Sequence, residues 1–276
     1  MCTHADPSVA RHALRQSLAL LVERSVEVFA PPDEWEKHEA ILTEAGAAVL
    51  AEDEGIDRVG LCLVLGGDGT MLRGFHLTRD RRIPVAGVNL GRVGFLTTVL
   101  KGDLSGGLER LLDGDFVEYP ILGLEAGLGP RVFRATNDVV VSKGDRSRLC
   151  SLSLTINGVT LFEVMCDGVV VGTPAGSSAY SLAAGGPLLG ISVEAYVISL
   201  VAAHAVGVRP VVAAPQDILE IINIDEDADC TVDVDGQRLA VMEPGDTLRV
   251  KTSPAMTSLA LLARDSLYHH FRDRLL

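Results

Sequence analysis

Residues 61–73, LCLVLGGDGTMLR, constrain what this chain can fold into more than any other stretch. Five apolar residues, Leu61 to Leu65, run without a polar break into Gly66-Gly67-Asp68-Gly69-Thr70. A continuous apolar run bounded by glycines is the pattern of a strand buried on both faces. Met71, Leu72, Phe75 and Leu77 follow at helix-compatible spacing. Strand, glycine turn and helix start together aim backbone N–H groups and a positive helix end at one point, where an anion can sit. Asp68 is the odd member, because a carboxylate repels phosphate. It implies chemistry, either accepting a proton from an attacking hydroxyl or holding a metal. The plainer alternative is a turn in which Asp68 caps the helix.

Around this stretch the first part of the chain alternates strands with helices. Asp6-Pro7 opens a helix, with Asp at the cap and Pro at the first helical position. Its stripe is Val9, Ala10, Ala13, Leu14, Leu18, Leu21 and Val22. Val26 to Ala30 reads as a strand, and Pro31-Pro32-Asp33 opens a helix that stops at Gly46. After Val59 to Leu65, Ile83 to Asn89 is a further buried strand, and Leu104 to Leu112 a short helix ended by Gly114. The alternation predicts an α/β domain with an open, mostly parallel sheet over residues 1–115.

From Phe116 the pattern changes to short β-branched runs: Val132 to Thr136, Val139 to Val141, Cys150 to Ile156, Val169 to Gly172, Ile218 to Ile224, Thr231 to Val234 and Leu248 to Val250. Asn157-Gly158 and Asp235-Gly236 are hairpin dipeptides, and Asp235 is read as serving its turn. Residues 116–263 are therefore expected to form a β-rich domain. An amphipathic helix over 264–276 is expected to pack back on the first domain.

The net charge of −13 argues against nucleic acid as a partner, and places the burden of holding any phosphorylated ligand on local groups. No apolar run reaches the length of a membrane helix. The N-terminus lacks a signal-peptide core. Five cysteines without a CxxC pair argue against a disulfide framework or a zinc site, and for a cytoplasmic setting.

A second informative stretch is Asp167 to Pro187, DGVVVGTPAGSSAYSLAAGGP. A strand meets Gly172-Thr173-Pro174 and then small and hydroxylated residues. These allow close approach of a ligand, with Ser177, Ser178 and Tyr180 as polar contacts, or alternatively a tightly packed helix start in a core.

Taken together, GGDGT at Gly66 to Thr70, NLGRVGFLT at Asn89 to Thr97, Asn137-Asp138 and the Asp167 to Pro187 stretch resemble the NAD kinase family, in the family's order and over most of the chain. GGDGT alone is weak, since lipid kinases share it; the other segments are more specific. The resemblance implies an active site between an α/β and a β-rich domain. It implies transfer of the γ-phosphoryl of ATP to the 2′-hydroxyl of the adenosine ribose of NAD, with a divalent ion, Mg²⁺, accompanying ATP. Asp68 would be the general base, with Gly67, Gly69 and Thr70 in the nucleotide-facing loop. Arg73 lies one helical turn further on, where it meets a phosphate. Asn89 and Phe95 belong to the second segment. Asn137 and Asp138 would hold the NAD ribose and base. Asp167, Thr173, Ser178, Ala179, Tyr180 and Ala183 match the dinucleotide pocket. Gln237 reaches it from its turn, and Arg148 matches a basic ligand-contacting position.

Departures are Ala175, where the family has Thr or Ser, Ala183, where it has Ser, and Ala203-His204 for its Pro-His. The family also opens on a glycine-ending strand before the first helix; this sequence starts almost at that helix, so the expectation is either a missing edge strand or a start that lies upstream. Many short strands leave edges to cover, and the family assembles through its β-rich domain, so a homo-oligomer is expected. Two alternatives remain: a lipid kinase, and a sensor that binds NAD without turnover.

Overall fold

The computed structural model describes residues 1–50, 55–81, 83–91, 94–144, 149–205, 207–262 and 272. Two compact units emerge: Met1–Pro120 with the stretch from Thr257 onward, and Ile121–Met256. Both breaks fall inside long strands, Val117–Leu128 and Thr247–Leu261. The expected C-terminal helix lies outside the described residues apart from Arg272.

In the first unit, strand Cys62–Gly66 is buried along its whole length. It pairs in parallel with Pro84–Asn89 on one side and with Cys2–Thr3 on the other. The end of Thr247–Leu261 and the short Val99–Leu100 also pair in parallel with Pro84–Asn89. An edge strand is therefore present, with Cys2 opposite Val64 and Thr3 opposite Leu65. Because successive side chains point to opposite faces, Leu63, Leu65, Ala86 and Val88 meet the helices Pro7–Glu23, Pro32–Glu44 and Leu104–Leu112. Val64 and Val85 face the other way, against Gly74 of helix Asp68–Leu77. Covering both faces with helices is what a parallel sheet of continuous apolar strands requires.

The first helix starts as read, with the Asp6 carboxylate accepting the Ser8 N–H at 2.9 Å. Its buried stripe is narrower than expected, since Val9 and Val22 are exposed. The strand expected over Val26 to Ala30 shrinks to Phe29–Ala30. Its beginning is consumed by the helix end: Ser25 turns at φ 55 and the Val26 N–H donates to the Leu21 carbonyl.

The second unit contains a six-stranded antiparallel sheet. Its order is Val211–Ala213, Tyr196–Val201, Gly168–Gly172, Asp138–Lys143, Cys230–Val234, Gln237–Met242. Val139, Val141, Val169, Val171 and Val232 from this sheet share one core with Leu152, Leu154, Ile221, Leu248 and Val250 from the facing strands, the arrangement of a sandwich. Asn157-Gly158 and Asp235-Gly236 both turn with positive φ at the two central residues, as the hairpin reading required. Among the described residues no helix is long and apolar enough to cross a membrane.

Candidate active site

In the first unit, Gly67 caps the helix, and Asp68 is its first residue. The Thr70 and Met71 N–H groups donate back to the Gly67 carbonyl, at 2.9 and 3.0 Å. Asp68 does not act as the cap. Its carboxylate reaches the loop after strand Pro84–Asn89 and accepts the Phe95 N–H at 3.0 Å and the Leu96 N–H at 3.1 Å. One oxygen goes to each donor, which fixes the plane of the carboxylate. Gly94 makes this possible: a Cβ there would lie 3.1 Å from Asp68 Cγ and overlap its Oδ1. Asn89, which is buried, shapes the same loop by accepting the Gly91 N–H at 3.0 Å. Phe95 is also buried, so its side chain is part of the core and its backbone serves Asp68.

A cavity of about 400 Å³ opens beside this turn, lined by His4, Gly66, Gly67, Gly69, Thr70 and Arg73 among others. Arg73 does not stand free there. Its guanidinium donates to the Thr3 carbonyl at 3.1 Å, to Glu34 at 2.8 Å and to Asp33. Two carboxylates on one guanidinium leave it less positive charge to offer a phosphate than the sequence suggested. Glu34 is 1 % exposed and also accepts the Thr3 N–H and the Lys37 ammonium, each at 3.0 Å. Nothing in the sequence pattern marked this buried carboxylate beneath the glycine turn.

In the second unit, the Asn137–Asp138 pair is tied from several directions. The Asp235 carboxylate accepts the N–H groups of Thr136, Asn137 and Asp138, at 2.9, 2.7 and 3.2 Å. The reading of Asp235 as a turn residue was therefore incomplete. Thr173 is fully buried, donating its hydroxyl to the Thr136 carbonyl at 2.6 Å and its N–H to the Asn137 carbonyl at 2.8 Å. It also accepts the Gly176 N–H at 3.0 Å. Thr173 thus acts as framework under the pair and presents no free group. Gly176 lies so close to the Asn137 carbonyl that a Cβ would overlap it. Among the described residues buried Asn137 Oδ1 stays without a partner, and beside it the Asp138 side chain is 6 % exposed. Burial, and then the nearby Asp235 charge, push the Asp138 carboxyl up to about 7.

Asp167 pairs with Lys143 at 2.6 Å, both half-exposed. Ser177, expected as a contact, is buried and donates to the Pro174 carbonyl at 2.7 Å. Ser178 is partly exposed and donates to the Ala175 carbonyl at 3.3 Å. Ala179, Tyr180, Ala183 and Gln237 are exposed. Arg148 lies outside the described residues. Among the described residues no three His, Cys, Asp or Glu side chains group so as to hold a metal.

Residues 7–116 match the model of the ATP-NAD kinase N-terminal domain, and residues 136–262 that of the ATP-NAD kinase C-terminal domain. The chain is 37% identical over 233 residues to an NAD kinase of Gemmatimonas aurantiaca, covering 82% of this chain and 79% of that protein. It is 33% identical to an NAD kinase of Azoarcus sp. over 273 residues, 97% of this chain and 89% of the relative. Its fold is similar to that of yeast NADH kinase, solved in complex with NADH, at a TM-score of 0.82 and 22% identity over 95% of this chain and 83% of that one. The two motif-bearing regions described above both fall within matched domains, and the chain belongs to the NAD kinase family.

Proposed function

We propose that the chain transfers the γ-phosphoryl group of ATP to the 2′-hydroxyl of the adenosine ribose of NAD, giving NADP. The observation that carries this reading is the Asp68 carboxylate, held in plane by two backbone N–H groups at a glycine turn that otherwise suits anions. Phosphoryl transfer asks the protein chiefly for positioning and charge neutralisation. Asp68 positions the ribose hydroxyl and accepts its proton as the oxygen attacks. Backbone N–H groups of Gly67 and Gly69, beside Thr70 at the positive end of the helix, take up charge on the phosphates. Asn137, whose buried Oδ1 has no partner among the described residues, and the neighbouring Asp138 carboxylate hold ribose hydroxyls and base, since both hydroxyls of a ribose are donors. Asp167, Ser178, Ala179, Tyr180, Ala183, Gln237 and Arg148 complete the dinucleotide contacts, with Thr173 beneath them.

A divalent ion such as Mg²⁺, bound together with ATP, would supply neutralisation of the charge on the transferring phosphates. A complex with ATP is known for an NAD kinase from Archaeoglobus fulgidus, similar to this chain at a TM-score of 0.66 and 23% identity over 89% of this chain and 96% of that one. Neither a lipid kinase nor a silent NAD sensor is favoured, given matches to the ATP-NAD kinase models in both halves.

The test is to incubate the purified chain with ATP, Mg²⁺ and NAD and to assay NADP. NADP formation with ATP consumption in equal amounts is expected; NAD binding without turnover would overturn the reading. The protein acts in the cytoplasm as a homo-oligomer. Light scattering at micromolar concentration should give a multiple of 29.3 kDa, and the monomer mass would contradict it.

A further inference from the structure

We infer that Asp235 is a positioning residue for the dinucleotide, holding the backbone of residues 136–138 in the conformation that presents Asn137 and Asp138 to the substrate. The inference rests on the proposed role of those two residues in holding NAD. Three successive N–H groups converge on this one carboxylate: Thr136 at 3.1 and 2.9 Å, Asn137 at 2.7 Å and Asp138 at 3.2 Å. Consecutive N–H groups curled around an anion make a concavity of the kind that elsewhere receives a ligand phosphate. Here a side chain of the protein fills it.

The hairpin itself does not ask for this carboxylate. A turn with positive φ at both central residues, 49° at Asp235 and 78° at Gly236, accepts Asn as readily as Asp. The charge is explained by its reach to another strand. The Asp235 N–H donates to the Asp138 carbonyl at 3.0 Å, so the same residue aligns the turn with the segment that its side chain grips. Thr173 takes the carbonyls of Thr136 and Asn137. The N–H and carbonyl groups of this short segment are thus committed, and its polar side chains are left for a ligand.

The variant Asp235→Asn keeps the turn, because Asn tolerates positive φ, and replaces a charged acceptor by a neutral one. Losing charge-assisted hydrogen bonds should raise the KM for NAD about tenfold. The kcat and the KM for ATP should change little, a split that a general loss of structure would not produce. Combined with Asp138→Asn, the two changes should not multiply, because Asp235 acts through the residue already altered. An unchanged KM for NAD in Asp235→Asn, while Asp138→Asn raises it, would overturn the positioning role, as would multiplying effects. An unchanged KM in Asp138→Asn would instead refute the assignment of the NAD site. A measurement independent of any variant is amide hydrogen exchange in the unaltered chain. Slow exchange at Thr136, Asn137 and Asp138 is expected, and rates of an open loop there would refute the bracket.

Discussion

Asp138→Asn should make the chain more stable above neutral pH while weakening its hold on NAD. The Asp138 carboxyl is 6 % exposed, and its pKa is raised from 3.8 to about 7 by burial and then by the charge of Asp235. The folded chain therefore binds a proton that the unfolded chain has released, and stability falls as pH climbs from about 4 to about 7. At roughly 1.4 kcal/mol per pH unit, the full cost of the charge is about 4 kcal/mol, reached only above pH 7. An amide removes that cost but brings its own desolvation of about 1–3 kcal/mol. The net gain at pH 8 is thus about 1–3 kcal/mol, or roughly 2–10 °C in Tm. At pH 5 the native carboxyl is largely protonated, so the gain should shrink toward zero or below. Thermal melts of both chains at pH 5, 6.5 and 8 make the comparison. A Tm difference that does not grow with pH, or an unaltered affinity for NAD, would refute this account of Asp138.

Other outcomes follow from the same geometry. Gly94→Ala places a methyl group against the Asp68 carboxylate; displacing that group by about 1 Å should cost on the order of 10²-fold in kcat, with NAD affinity by calorimetry within a few-fold, and a normal kcat would show that the carboxylate is not held for chemistry. Ala183→Ser adds a hydroxyl at an exposed position that ends the helical turn Tyr180–Ala183; one neutral hydrogen bond should lower the KM for NAD by roughly threefold to tenfold, and an unchanged KM would place the residue away from the ligand.

What could be read from the sequence was local. Apolar Leu61 to Leu65 before Gly66 announces a strand and turn, and Asp6-Pro7 a helix start, because propensity and cap chemistry act within a few residues. Asn157-Gly158 and Asp235-Gly236 announce hairpins for the same reason. Hidden features depend on partners far along the chain. Strand Val117–Leu128 contains Pro120, Gly123 and Gly127, residues that punctuate a sequence but are tolerated once cross-strand pairs to Arg131–Ala135 and packing against Met256 support them. The burial of Glu34 depends on Thr3 and Arg73, and the reach of Asp235 on the Thr136–Asp138 backbone. The site residues divide in the same way: Asp68 stands out because a carboxylate among glycines is chemically anomalous, whereas Thr173 resembles the partly exposed Ser178 of the same stretch until its hydroxyl is found buried on the Thr136 carbonyl.

Asp68→Asn tests the central claim most directly, because it keeps the shape of the side chain and removes the base. Turnover of NAD with ATP and Mg²⁺ should fall by about 10²–10⁴-fold. NAD affinity by calorimetry should stay within a few-fold, because the proposed dinucleotide contacts are Asn137, Asp138 and the residues after Asp167, not Asp68. Near-normal turnover would contradict the account by showing that Asp68 only shapes its turn; loss of NAD binding together with activity would contradict it by making Asp68 a binding group.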